Sequence, residues 1–298
     1  MNIPNIRGMI PAFVTPFNKD GSINLEAAKK HALRLIDKGA DALYVGGSSG
    51  EMILCTVDER KALVETLKET VPTGFPLIVH IGCANTADAY ELAKHAEKLG
   101  VEAISSVTPF YYKYSFAEIK GYYENIAKLV KTPMIIYNIP SLSGSSLNLS
   151  QMYELLSIDG VAGMKFTCSD YYMFERVRKA FPDKLLYNGS DEMVCSGLAM
   201  GADGGIGTNY NTMISKFADL YKKFKAGDMA GALKIQHDIN DVVEEMFKYN
   251  LLPAVKYLVC QCGCDVGTCR DPFIDLTEKE KATLKEAVRG KLSWDFID

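Results

Sequence analysis

The residue whose setting most invites chemistry is Lys165, in the run VAGMKFT, where Val161, Ala162, Met164 and Phe166 otherwise make an apolar β-strand. Burial disfavours the ammonium form and lowers the pKa, leaving an uncharged amine able to attack a ketone and form a Schiff base. Two plainer settings compete: an amine paired with a carboxylate inside the fold, or one at a strand end reaching solvent. Tyr137 closes the preceding apolar run, PMIIYNIP (133–140). A phenol there can shuttle a proton if a hydrogen-bonded partner eases the transfer, and the hydroxyls of Ser48 and Tyr111 are the candidates. Simple packing of a strand-end tyrosine is the alternative.

Three turns suggest what such an amine would act on. GGSSGE (46–51) brings backbone N–H groups together with the hydroxyls of Ser48 and Ser49, a setting sized for a carboxylate. It is neither G-x-G-x-x-G nor G-x-x-x-x-G-K-[ST], so a nucleotide is not indicated, and a plain tight turn remains open. GADGGIGTNYN (201–211) has the glycine density that some barrels use for phosphate. The adjoining YNGSDE (187–192) supplies Asp191 and Glu192, which repel phosphate but accept hydrogen bonds from sugar hydroxyls. A polyhydroxylated, unphosphorylated substrate therefore fits better, with a solvated acidic pair at a helix start as the structural alternative.

Metal chemistry finds less support. Cys260, Cys262, Cys264 and Cys269 crowd together, but C-x-C-x-C-x₄-C has no second clip and no nearby His, so no metal is expected. Cys55, Cys83, Cys168 and Cys195 lie beside apolar segments and read as buried free thiols. The four histidines, His31, His80, His95 and His237, form no metal or triad pattern and receive no catalytic role.

Positioning these residues requires elements, and the chain supplies them in alternation. Short β-rich runs occur at 9–17, 42–47, 76–82, 103–110, 133–140, 161–167, 184–189 and 204–208. Helical stretches fill the gaps, with capping boxes at Thr56/Glu59 and Ser115/Glu118 and stops at Gly39 and Gly100. Continuous apolar strands separated by helices predict parallel strands covered outside, and eight such units predict a closed (β/α)₈ TIM barrel of class α/β. Barrel chemistry sits at the C-terminal ends of the strands, where Thr15, Ser48, Thr108, Tyr137, Lys165, Asp191 and Thr208 fall. The spacing places the barrel at 1–225 and a helical appendage at 226–298, with helices over roughly 228–249 and between Thr277 and Gly290. That appendage is either a lid or an oligomer contact.

Composition narrows the partners. A chain of 298 residues, 48% hydrophobic and 23% charged, has ample material for a large core. With 33 basic against 37 acidic residues it carries no basic field for nucleic acid or anionic membrane. No apolar run approaches the roughly 20 residues that cross a bilayer, and the start MNIPNIRGMI is not built as a secretory signal, so a cytoplasmic protein with a small-molecule substrate is expected.

Taken together, GGSSGE, TPFYY, YNIP, MKFT, YNGSDE and GGIGTNYN resemble the N-acetylneuraminate lyase branch of the pyruvate-dependent class I aldolases, over the whole chain. The resemblance implies that Lys165 forms an imine with the C2 ketone of sialic acid and that Tyr137 takes the C4 hydroxyl proton. Retro-aldol cleavage then gives pyruvate and N-acetylmannosamine with no cofactor beyond the covalent Schiff base. It further implies that Ser48 and Ser49 hold the substrate carboxylate, that Thr167 bonds near C4, and that Gly189, Asp191, Glu192, Gly207 and Thr208 hold the acetamido and polyol portion. Tyr111 would be lent by a neighbouring subunit, in a homotetramer. Thr208 and Ser49 differ from the Ser and Thr frequent in this branch, which alters hydroxyl reach. The related dihydrodipicolinate synthases carry an arginine where Leu142 stands, and a leucine cannot pair with an α-carboxylate. The alternatives are that activity, a 2-keto-3-deoxy-sugar-acid aldolase, or an inactive sugar-acid-binding relative.

Overall fold

The computed structural model describes residues 3–292; the outermost residues of both expected segments, 1–2 and 293–298, lie outside it. Eight strands run as β1 (Gly8–Pro11), β2 (Leu43–Val45), β3 (Leu77–His80), β4 (Ala103–Val107), β5 (Met134–Asn138), β6 (Val161–Phe166), β7 (Leu185–Asn188) and β8 (Gly204–Gly207). Neighbours pair in parallel around the ring, with β1 against β8. The β1–β2 seam is closed by an Ala12–Tyr44 bridge and by the Phe13 N–H donating to the Tyr44 carbonyl at 2.9 Å. Each apolar run of the sequence contains one strand, giving the (β/α)₈ barrel.

Among the described residues, helices follow the strands around the outside: α1 (Leu25–Asp37), α2 (Val57–Thr70), α3 (Thr86–Lys98), α4 (Phe116–Leu129), α5 (Pro140–Ser143), α6 (Leu149–Leu156), α7 (Tyr171–Ala180), α8 (Val194–Ala199) and α9 (Tyr210–Lys225). Both expected capping boxes form, and a third closes the start of α6 through Asn148 and Gln151. Gly39 ends α1 in a conformation, φ +101°, that a Cβ would oppose.

The pleat sorts the apolar side chains into two cores. Ile10, Ala42, Tyr44, Ile78, Ile135 and Leu185 fill the lumen. Met9, Leu43, Val79, Ile104 and Ile136, one residue out of phase with them, pack outward against the helices. Burying each large apolar side chain contributes about 1.5–3 kcal/mol, so the outer layer carries most of the stability.

One strand breaks that alternation. Met134 of β5 is in register with Val161, yet the next residue, Ile135, is in register with Gly163, so Ala162 is an extra residue in β6. Such a bulge advances the pleat by one position. Ala162 packs in the lumen, and three residues later Lys165 pairs with Tyr137 on the same inward side. Glycine is required at 163 because a Cβ there would lie 1.9 Å from the Leu185 carbonyl oxygen.

The C-terminal helices are α10 (Met229–Met246), α11 (Leu251–Gln261) and α12 (Glu278–Val288). Ile239, Val242, Leu258 and Leu284 join the outer core of the barrel. α12 opens with a capping box formed by Thr277 and Glu280. Among the described residues Cys260, Cys264 and Cys269 are free thiols, and the four clustered cysteines form no group able to hold a metal. Burial pushes the Cys269 thiol up to about 12.

Candidate active site

Lys165 reaches the lumen near the C-terminal end of β6, where it is 4% exposed. Its Nζ lies 4.1 Å from the ring centre of Tyr137 and 4.7 Å from that of Tyr44. Among the described residues no carboxylate lies within ion-pair distance of it. The paired-lysine and solvent-reaching settings open at the sequence level are thereby both removed. Tyr44, which sequence reasoning passed over, is held by its hydroxyl donating to Ser105 Oγ at 3.0 Å. Its inward position on the pleat, two residues after Ala42, was the available signal.

Tyr137 is 3% exposed, with its ring 6.1 Å from that of His80. The Val107 N–H donates to His80 Nε2 at 3.1 Å, which makes that nitrogen the acceptor of a neutral imidazole. Burial, then Arg60, holds the His80 pKa well below its usual range, so the ring adds no charge beside Lys165. The Tyr137 hydroxyl bonds to neither Ser48 nor Tyr111 within this chain. Tyr111 is in fact 87% exposed, at φ +79°, stacked edge-on against Tyr112. The structure therefore brings Lys165 and Tyr137 together and leaves Tyr111 standing clear of them.

The GGSSGE turn folds as a short 3₁₀ helix, Ser48–Gly50, directly after β2. Ser49 Oγ lies 2.6 Å from Thr208 Oγ1, tying the ends of β2 and β8 together. Thr15 Oγ1 donates to the Gly50 carbonyl at 2.7 Å from the end of β1. Ser48 is half-buried and lines a cavity of about 370 Å³ with Met52, Val107, Phe110, Ile139 and Leu142. Leu142 is 66% exposed and gives this mouth an apolar side where a cation would bind a second carboxylate.

Glu51, the last residue of the turn, takes the left-handed conformation at φ +56° although it is not glycine, which costs roughly 1–3 kcal/mol. The appendage holds it there. Lys256 of α11, 1% exposed, pairs with Glu51 Oε1 at 2.5 Å and donates to the Thr268 carbonyl at 3.0 Å. The Arg270 N–H donates to Glu51 Oε2 at 2.8 Å, while its guanidinium grips Glu59 and the Gly21 and Leu54 carbonyls. No local sequence signal links Glu51 to these residues.

Across the mouth, Asp191 and Glu192 begin a 3₁₀ turn, Asp191–Met193, after β7. Asp191 is 6% exposed and so is not a solvated helix-start residue. Its Oδ2 accepts from the Asn209 N–H at 2.7 Å, and burial pushes its pKa from 3.8 up to about 7 against that bond. Two glycines are set by close approach: a Cβ on Gly207 would sit 1.7 Å from Asp191 Oδ1, and one on Gly189 2.0 Å from Thr167 Oγ1. Thr167 Oγ1 is buried with no hydrogen-bond partner among the described residues, leaving its capacity for a ligand. The site thus joins a buried amine and a phenol to a hydroxyl-rich turn on one side and an acidic turn on the other.

The Dihydrodipicolinate synthetase family model matches residues 5–291. N-acetylneuraminate lyase of Clostridium perfringens strain 13 is 39% identical over 282 residues, covering 94% of this chain and 98% of that one. The enzyme of that name from Fusobacterium nucleatum is 40% identical over 282 residues, covering 94% and 97%. Among solved structures, CdNal from Clostridium difficile, in complex with mannosamine, superposes with a TM-score of 0.93 at 38% identity, covering 96% of this chain and 99% of its own. N-acetylneuraminate lyase from F. nucleatum, complexed with pyruvate, has a TM-score of 0.91 at 38% identity, covering 97% and 98%. With the family model spanning nearly its full length, the chain belongs to the dihydrodipicolinate synthetase family.

Proposed function

We propose that the protein is an N-acetylneuraminate lyase that works through a Schiff base on Lys165. The observation that carries this reading is a lumenal amine without a carboxylate partner among the described residues, set against the Tyr137 ring and flanked by the two turns. Lys165 Nζ adds to the C2 ketone, and water leaves to give an imine. The C3–C4 bond then breaks, its electron pair moving into the iminium to form an enamine, while Tyr137 accepts the C4 hydroxyl proton as the aldehyde forms. N-acetylmannosamine departs; protonation at C3 and hydrolysis release pyruvate and the free amine.

Ser48 and Ser49, with their backbone N–H groups, hold the substrate carboxylate. Thr167 bonds near C4, and Gly189, Asp191, Glu192, Gly207 and Thr208 hold the polyol and acetamido groups. Tyr111, displayed outward in a left-handed conformation, serves the Tyr137 of a neighbouring subunit in a homotetramer. The enzyme needs no metal or organic cofactor and works in the cytoplasm; among the described residues no helix is long and apolar enough to cross a membrane. Apolar Leu142 and the acidic 191–192 turn favour this substrate over aspartate semialdehyde.

The test is borohydride trapping after incubation with N-acetylneuraminate, followed by digestion and mass spectrometry. An adduct on Lys165 is expected. An adduct formed with pyruvate but not with sialic acid would keep the imine chemistry and reject the substrate.

A further inference from the structure

The turn that carries Asp191 and Glu192 contains a broken helical hydrogen bond. The Cys195 N–H and the Asp191 carbonyl stand four residues apart, the pair that closes an α-helical turn. Here they do not meet. The Cys195 N–H donates instead to Gln236 Oε1 at 3.1 Å, and Gln236 Nε2 donates to the Asp191 carbonyl at 3.1 Å. The amide of Gln236, on α10 and 3% exposed, is inserted between the two. Met193, inside the opened stretch, lies off the helix at φ −131° and ψ 29°. One turn further along α10, Asn240 accepts from Gln236 Nε2 at 2.9 Å and donates to the Glu192 carbonyl at 3.1 Å. The carbonyls of both acidic residues are therefore held by one face of one appendage helix.

We infer that Gln236, assisted by Asn240, is a positioning residue that sets the specificity of the polyol end of the site. Neither side chain touches the reacting atoms. A carboxamide accepts from an N–H through its oxygen and donates to a C=O through its nitrogen at once. Without it the broken bond can close, converting the turn to α-helix and rotating Asp191 and Glu192 about their own backbone. Ser48 and Lys165 make none of these bonds, and Ser49 meets the acidic turn only through Thr208, so binding of the carboxylate and keto group changes least. This role rests on the lyase reading above, because it takes the acidic turn as the seat of the sugar hydroxyls.

The experiment compares the full-length wild type with Gln236→Leu in both directions of the reaction. KM for N-acetylneuraminate in cleavage, and for N-acetylmannosamine in synthesis, is expected to rise about tenfold. KM for pyruvate in synthesis, and the pyruvate concentration giving half-maximal borohydride trapping, are expected to stay within about twofold. A folded Q236L whose pyruvate and amino-sugar constants rise together, or do not move, overturns the assignment. Should Q236L fail to fold, Asn240→Leu, at a half-buried position, carries the same test, with an amino-sugar KM rise of about threefold expected and no rise overturning it. A wild-type enzyme that traps neither N-acetylneuraminate nor pyruvate sinks the lyase reading and this role with it, an outcome distinct from a failure of Q236L alone.

Discussion

The two turns at the barrel mouth are both fixed by the helical appendage, by opposite means. GGSSGE is anchored by buried charge, with Glu51 clasped by Lys256 and by the Arg270 N–H. The Asp191–Glu192 turn is anchored by neutral amides on backbone groups. A buried ion pair is stringent, since losing one partner strands an unpaired charge, whereas losing an amide strands dipoles. The appendage is thus a frame for both turns, a role that the sequence reading of it as a lid or an oligomer contact did not include.

Lys165 belongs to neither turn and calibrates the comparison. Lys165→Ala should lower cleavage by about 10⁴-fold or more, while the thermal midpoint stays within a few degrees. Substantial residual turnover would remove the imine from the mechanism. Lys256→Met should cost about 3–5 kcal/mol in urea unfolding, with Glu51→Gln in the same chain recovering much of that loss. A single-variant cost below about 1 kcal/mol would break the contrast. Gln236→Leu should cost less, about 1–3 kcal/mol in the same assay, and equal losses in the two variants would mean that charge is not what distinguishes the anchors.

A further expected effect is a pH dependence. The Asp191 pKa rises from 3.8 to about 7 on folding, so the folded state binds this proton more tightly and the associated stability is present at low pH. It is lost as pH climbs from about 4 through about 7. Urea midpoints of the wild type relative to Asp191→Asn should therefore fall across that window, and a flat difference would mean that Asp191 is already ionised throughout.

Local features were readable from the sequence and distant ones were not. The eight apolar runs and the boxes at Thr56 and Ser115 depend on residues a few positions apart, and each appears as expected. The first strand is shorter than its run: it ends at Pro11, and beyond it the chain keeps only the isolated Ala12–Tyr44 bridge. Lys165, Tyr137, Ser49, Thr208 and Asp191 could be found because polar residues at strand ends stand out against apolar runs. Lys256 and Gln236 could not, because a polar residue on a helix ordinarily faces water, and only the fold discloses that these are buried. The Gln236 contact spans 45 residues, with nothing between to announce it. Tyr111 was legible as a residue type, but its distance from Tyr137 depends on the conformation of one loop.

The extra residue in β6 makes the direction of Lys165 a matter of counting. Gly163 apart, the residues before the lysine could be exchanged for others of similar volume and the amine would still enter the lumen. Deleting a single residue there would deliver it to the side now occupied by Met164, among the apolar side chains of the helix layer. For this segment, substitutions are the mild class of change and a one-residue change in length the severe one. The Lys165 amine owes its place to the length of the chain before it, a quantity that composition does not record.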